Sequence, residues 1–446
     1  GCGAGAALVC DDGDACNGME ACDPVAGCQA GTPVVCDDGD ACTTDACDAV
    51  TGATQTVSEG GPLSFDVKPQ SAGGENVMAG LRHDASFRTN LTVANLKDET
   101  TEVEVVFRDT NGTVLGVPAR VTVEPRGVKQ LNAALSAAPA VANAASGGAG
   151  WAEPVSNFSA EVTVKKGSGV YPYATVIDQV TGDSIVVTPA ARPSPTYRLP
   201  GVVRAMGKSG SYWMSDVAVL NPSAKPRRVK ITYSYEKLGL TGRFSRTETL
   251  DFRPWEMKVA VDFVKIWLGL EENDPGSYAS AFLDVTPAAD DSAPTENLVV
   301  VGKTYTPSGL GSVGLQVDPF AYEDGINAES SRKRIVLSGL EVNKEYRTNL
   351  ALFLTPGSTG NAQVDVKVLD SFGRLTKAFW GVGLNGDAPT VQLNSTDLFP
   401  ALETDEVSRA TIVVDNPRGT AVVGAYATVI DNKSDDATFV AGQPAP

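Results

Sequence analysis

The sequence predicts an all-β chain: three tandem two-sheet sandwiches preceded by a small disulfide-rich repeat module. Three observations lead there. From about residue 62 apolar and polar residues alternate with period two, as in Thr101-Glu-Val-Glu-Val-Val-Phe107 and Gln363-Val-Asp-Val-Lys-Val-Leu369, the pattern of half-buried strands. The alternating region then repeats itself three times. Finally, all eight cysteines fall within the first 47 residues. Such density in a segment too short to build a good core reads as a disulfide framework made in an oxidising compartment.

Length and composition agree with this organisation. With 446 residues the chain has room for about three domains of ordinary size. Apolar residues make up 42% and charged residues 20%, the balance of a folded globular chain. No apolar run approaches the ~20 residues that a membrane-spanning helix needs, so no transmembrane segment is expected. The net charge of −18 would repel phosphates, so nucleic acid is an unexpected partner too.

The N-terminal module covers residues 1–55 and is itself a repeat. Cys2, Cys10 and Cys16 recur 26 residues later as Cys28, Cys36 and Cys42, and Cys22 recurs 25 residues later as Cys47. Zinc is the rival to disulfides, but zinc ligands usually come as close Cys-x2-Cys pairs, and here the gaps are longer and no histidine is near. Eight cysteines allow 105 pairings, and the sequence does not choose among them. The chain opens on Gly1-Cys2 at a repeat boundary without an apolar leader, so a removed export signal and further preceding repeats are expected.

The three sandwiches are placed at 62–190, 195–320 and 332–446. Phe87-Arg-Thr-Asn-Leu91 recurs as Tyr346-Arg-Thr-Asn-Leu350, with Tyr212-Trp-Met-Ser-Asp-Val217 as the middle copy. Tyr173-Ala-Thr-Val-Ile-Asp178 recurs as Tyr426-Ala-Thr-Val-Ile-Asp431, with Val301-Gly-Lys-Thr-Tyr-Thr306 between them. Opening strands are expected at 76–80, 198–203 and 335–339, and about seven strands in each copy. Turn signals at Thr110-Asn-Gly112 and Ser371-Phe-Gly373 join neighbours as hairpins. Short helices are expected over 129–135, 261–270 and 396–402. Residues 189–195, with three prolines, and the polar stretch 322–331 read as linkers, the first stiff enough to hold neighbouring sandwiches like rods end to end. Without long helices between strands, a doubly wound fold is excluded.

Two resemblances follow from these residues. The Cys-Asp-Asp-Gly-Asp-Ala-Cys units at 10–16 and 36–42, with Cys-Asp at 22 and 47, resemble cysteine-rich repeats of secreted and cell-surface proteins of social amoebae and some Gram-negative bacteria. That likeness covers about 50 residues and implies an extracellular setting more than an activity. The sandwiches resemble immunoglobulin-like modules of bacterial surface proteins. They lack the inter-sheet disulfide of antibody domains, so only the architecture carries over.

The acidic residues of the module are its candidate metal ligands. Residues 1–60 hold eleven acids and no Lys or Arg. Calcium takes six to eight hard oxygen ligands from flexible loops, and Asp alternating with Gly at a turn supplies them. The candidates are Asp11, Asp12, Asp14, Glu20 and Asp23 in the first unit and Asp37, Asp38, Asp40, Asp45 and Asp48 in the second. The spacing differs from that of an EF-hand, and the same acids also read as solvated turn residues between disulfides.

Basic residues cluster at Lys225, Arg227, Arg228 and Lys230 and at Arg332, Lys333 and Arg334. They read either as solvated strand edges protected against edge pairing or as a docking surface for a neighbour's acidic module. The one histidine, His83, has no nucleophile motif beside it. No carboxylate pair stands out for glycoside hydrolysis, and no glycine-rich phosphate loop occurs. Of the five tryptophans, Trp151 and Trp380 are candidates for exposed sugar platforms, whereas Trp213 and Trp267 sit at core-like positions. The sequons at Asn90, Asn111, Asn157, Asn394 and Asn432 matter only in a eukaryotic secretory pathway. The expected function is therefore an extracellular structural or adhesive protein without enzymatic activity, one candidate role being the subunit of a head-to-tail surface filament. The alternatives are a carbohydrate- or matrix-binding module of a larger secreted protein and a calcium-stiffened spacer.

Overall fold

The computed structural model describes residues 21–23, 27–29, 43–48, 52–57, 70–71, 75–137, 155–189, 193–207, 210–271, 274, 278–309, 311–399 and 409–445. Contacts divide the chain into two compact units, 1–67 and 68–446.

In the first unit two antiparallel hairpins are described. Ala21–Asp23 pairs with Gly27–Gln29, and Thr43–Asp48 pairs with Gly52–Val57. They occupy matching places in the two sequence repeats. The backbone register sets Cys22 opposite Cys28 in the first and Cys47 opposite Ala53 in the second.

In the second unit the strands form six antiparallel sheets that face each other in pairs. The first pair sets Glu75–His83, Val155–Lys166, Thr101–Asp109 and Val114–Val123 against Val128–Leu131, Phe87–Asn95, Ser168–Asp178 and Ser184–Val187, each sheet in that order. The second pair sets Tyr197–Pro200, Tyr278–Pro287, Arg227–Lys237 and Arg243–Phe252 against Met257–Ala260, Tyr212–Leu220, Val299–Ser308 and Gly311–Val317. The third sets Arg334–Leu340, Ala410–Gly419, Ala362–Asp370 and Leu375–Leu384 against Thr390–Leu393, Tyr346–Leu354, Val423–Asp431 and Ala437–Ala441.

Numbered from the start of each copy, the strand order is 1-6-3-4 facing 5-2-7-8 every time. The segments matched by sequence, Arg-Thr-Asn-Leu and Tyr-Ala-Thr-Val-Ile-Asp among them, are strands 2 and 7 and lie side by side in each copy. Strands 1 and 2 lie in opposite sheets, whereas the constant-type immunoglobulin order keeps its first two strands together. The likeness to that fold is thus one of layering, not of strand order. Alternation explains the layering directly. In Thr101–Asp109 the residues Val103, Val105 and Phe107 are buried, and in Ala362–Asp370 Val364, Val366 and Val368 are. Each such side chain stabilises the fold by ~1.5–3 kcal/mol.

Three apolar clusters fill the pairs. One is drawn from Met78 to Val187, one from Tyr197 to Ala321 with Ile430 and Ala437 added, and one from Ile326 to Ala427. The expected helices are shorter than the sequence suggested. Phe263–Leu268 falls within 261–270, and Ser395–Leu398 overlaps the start of 396–402, whose last three residues lie outside the described ones. The first is displaced: Val128–Leu131 extends a sheet by pairing with Phe87–Asn95, and the helical turn is Ala134–Ala137.

The stretches read as linkers carry structure of their own. Residues 190–192 lie outside the described ones, but Ser194 bridges to Leu298. In 322–331 Ile326 is buried and bridges to Val423. Neighbouring sheet pairs are fastened by buried contact rather than by a stiff linker alone. Ala79 of the first copy packs with Ala218, Leu220, Met257 and Val299 of the second. Arg198 of the second forks onto Asp284 with two 2.7 Å bonds and donates to the Leu354 carbonyl of the third, where Phe320 and Phe353 meet edge to face at 4.8 Å.

Candidate functional site

The most repeated polar motif holds the copies together internally. In Arg-Thr-Asn-Leu the threonine hydroxyl donates back at 2.6 Å to the end of the opening strand or the residue after it, Thr89 to the Arg82 carbonyl and Thr348 to the Glu341 carbonyl. The asparagine carbonyl accepts from the chain that leads into the short helix: Asn90 from Ala133 N–H at 2.9 Å, and Asn349 from Ser395 N–H at 3.3 Å. In the middle copy Ser215 accepts from Val203 N–H, and Asp216 accepts from Asp262 N–H at 2.9 Å. Repeated aspartates act in the same way at turns. Asp109 and Asp370 each accept two backbone N–H bonds across their hairpins, where Gly112 and Gly373 take the positive φ that the turn needs.

The middle copy differs because its aspartate is a charge. Burial raises the Asp216 pKa, and bonds from Asp262 N–H and Tyr305 together with the charges of Lys303 and Arg82 oppose that rise. Lys303 is driven the other way, downward, chiefly by burial. Its ammonium lies 4.9 Å from the Phe87 ring centre of the first copy and donates to Ser312 Oγ at 3.2 Å. Asp178 of the first copy accepts from both Ser312 N–H and Ser312 Oγ. This polar seam between two copies was not singled out in the sequence. The signal for it was the Asp in place of Asn at 216.

The first basic cluster is built into the second sheet pair. Residues 227, 229, 231 and 233, Arg-Val-Ile-Tyr, all face inward on one strand, so Arg227 is core-facing. Its guanidinium donates to Asp291 Oδ2 at 2.8 Å and to the Glu296 carbonyl at 2.5 Å, and both side chains of the ion pair are fully enclosed. Burial pushes the Asp291 pKa up, but the Arg227 bond and the Arg228 and Ala293 N–H bonds outweigh it and hold the carboxyl below its ordinary value. Arg228 is outside, paired with Asp290 at 2.8 Å and Asp251 at 3.6 Å, while Lys225 pairs with Glu296 at 3.0 Å. Lys230 is exposed. Beside them lies a hollow of about 320 Å³ whose lining includes Arg227, Arg228, Arg253, Asp251 and Asp290. As a docking surface the cluster is thus reduced to its exposed members, and its charge is largely met within the chain.

The second basic cluster closes a sheet edge. Arg334 begins a strand paired with Gln443–Ala445, Lys333 N–H donates to the Ala445 carbonyl at 3.1 Å, and Ser330 Oγ donates to the Arg332 carbonyl. Lys333 and Arg334 are exposed and Arg332 is half-buried.

No protein-family model matches the chain, and no curated protein does. Resemblance therefore adds nothing to the geometry.

Of the proposed disulfide cysteines, Cys2, Cys10, Cys16, Cys36 and Cys42 lie outside the described residues, and Cys22, Cys28 and Cys47 are placed by backbone only. Of the proposed calcium ligands only Asp23, Asp45 and Asp48 lie on described backbone. Among the described residues no group of three or more His, Cys, Asp or Glu could hold a metal ion. His83 is half-buried, and its Nδ1 takes no hydrogen bond. Trp213 packs against the second cluster and Trp267 is part of it. Trp255 lies under the Arg108 guanidinium at 4.2 Å, Trp151 lies outside the described residues, and Trp380 is 66% exposed. Among the described residues no helix is long and apolar enough to cross a membrane.

Proposed function

We propose that this chain is an extracellular structural protein without enzymatic activity, the subunit of a head-to-tail surface assembly. The observation that carries the reading is the inward use of the repeated motifs. The Thr and Asn of Arg-Thr-Asn-Leu and the hairpin aspartates Asp109 and Asp370 bond to backbone inside their own copy, and the three copies are fastened to one another through buried side chains. A unit of this kind transmits force and holds spacing. The acidic, cysteine-rich residues 1–67 are then the variable end, stapled by disulfides, binding calcium through the candidate acids and docking on a neighbour. The exposed cations Arg228, Lys230, Lys333 and Arg334 are the candidate receptors, because opposite charge at separate places on one chain favours a contact that propagates.

Sedimentation velocity and negative-stain microscopy of the native chain test the assembly. Species above the 46.4 kDa monomer that disappear on combined charge reversal at Arg228, Lys230, Lys333 and Arg334 are expected. Calorimetric titration of metal-free protein with calcium tests the head. A heat of binding is expected, and its absence removes calcium from the reading.

A further inference from the structure

The edge hairpin of the third sheet pair is bulged beside an exposed tryptophan. In Ala362–Asp370 the valines at 364, 366 and 368 fill the core, which leaves Asp365 and Lys367 on the other face, Asp365 buried there and Lys367 half-buried. Val364 pairs with Val382 and Val366 with Phe379, so Trp380 and Gly381 together oppose Asp365 in a β-bulge. Gly381 takes a φ of 66°, and its N–H donates to Asp365 Oδ1 at 2.8 Å. On the other side of the same strand the register with Ala410–Gly419 also shifts, between Gln363 and Asp365. Bulges re-aim side chains and are frequent beside functional sites. The corresponding hairpin of the second copy runs from Arg227 opposite Phe252 to Glu236 opposite Arg243 with no shift, and that of the first copy shifts between Val105 and Phe107 without a tryptophan there.

The two bulges surround an exposed indole with hydrogen-bonding groups. Trp380 is 66% exposed. Lys367 Nζ lies 5.9 Å from its ring centre and donates to Asp415 Oδ2 at 2.6 Å. Arg418 Nη2 donates to Asp365 Oδ1 at 2.8 Å and passes 3.6 Å from where a Cβ on Gly381 would sit. Asp415 Oδ1 is buried and has no hydrogen-bond partner, although buried polar atoms are nearly always satisfied.

We propose that this face is a carbohydrate-binding site, with Trp380 as the stacking platform and a neutral pyranose as ligand. A sugar ring offers an apolar C–H face to an aromatic plane and a rim of hydroxyls that both donate and accept. Lys367 and Arg418 supply the donors, each held in place by its carboxylate, Asp415 and Asp365. Each cation is matched by a carboxylate, so the rim has no excess charge to select a uronate, sulfate or phosphate. The site is independent of head-to-tail assembly and stands or falls separately.

Affinity electrophoresis of the full chain through gels containing β-glucan, mannan or galactan is the test, followed by calorimetry with a hexasaccharide of whichever polymer retards it. At least one neutral polymer is expected to slow the chain. Trp380→Ala is expected to weaken binding about thirtyfold, the range of a buried aromatic anchor. Asp415→Ala should weaken it to a lesser degree. Phe372→Ala, an 81% exposed aromatic at the tip of the same hairpin, should leave it unchanged. An unchanged thermal midpoint in Trp380→Ala shows that the loss is not one of folding. The site is overturned if no neutral polymer retards the chain, if Trp380→Ala binds like the parent, or if Phe372→Ala loses as much. Retardation only by acidic polymers, abolished by salt, overturns the choice of a neutral ligand.

Discussion

The two compact units of this chain solve the problem of stability in opposite ways. Residues 68–446 contain no cysteine and fill three apolar clusters between facing sheets. Residues 1–67 contain all eight cysteines and no Lys or Arg up to residue 60. A segment of that size with so few large apolar residues is short of core, the situation in which small domains use staples. The difference teaches that the two parts should respond to different insults. The body should fail when buried pairs or cores are broken, and the head when the proposed disulfides are reduced.

The sharpest way to break the body is at Arg227. Asp291→Ala leaves an enclosed guanidinium without its carboxylate and is expected to cost ~3–5 kcal/mol, read by thermal or denaturant unfolding. The motif clamps come next. Thr348→Val removes the bond to the Glu341 carbonyl and should cost ~1–2 kcal/mol, with Thr89→Val similar in the first copy.

Acid separates two kinds of buried carboxylate within the body. Asp178 and Asp291 are both pushed up by burial, but backbone and side-chain hydrogen bonds outweigh this and hold them below their ordinary values. Their contribution is present above the unfolded value of about 4 and is lost as pH falls through the lower folded values. Asp216 and Asp183 are raised, chiefly by burial, so protonation relieves them as pH falls through their folded values toward about 4. Unfolding midpoints should therefore hold or rise slightly as pH falls toward about 4, and drop below it. The smallest effect belongs to the exposed cation Lys230, where Lys230→Glu should change stability by less than ~0.5 kcal/mol.

Much of this body was legible in the sequence. Period-two alternation located the strands, and the recurring Arg-Thr-Asn-Leu and Tyr-Ala-Thr-Val-Ile-Asp segments do occupy equivalent, adjacent strands. Strand order was not legible, because alternation specifies which face is buried but not which strand is the neighbour. The helix expected over 129–135 gives way at its start to a strand, because Val128–Leu131 pairs with Phe87–Asn95, a partner that four residues of local pattern do not reveal. Arg227 stands among basic neighbours in the sequence, yet strict alternation through Val229, Ile231 and Tyr233 puts it on the inner face. Its acidic partner lies 64 residues away, a separation that no local pattern reveals. The bulge at Trp380 was invisible for the same reason, since a one-residue slip is a property of two strands together.

The central claim is that the head drives assembly while the body merely carries it. Sedimentation velocity of the full chain before and after reduction and alkylation, with the unfolding midpoint recorded on the same samples, tests it most directly. Assemblies that collapse to the 46.4 kDa monomer on reduction, with the midpoint of the cysteine-free body unchanged, are predicted. A native chain that stays monomeric at every concentration, or assemblies indifferent to reduction, would contradict it.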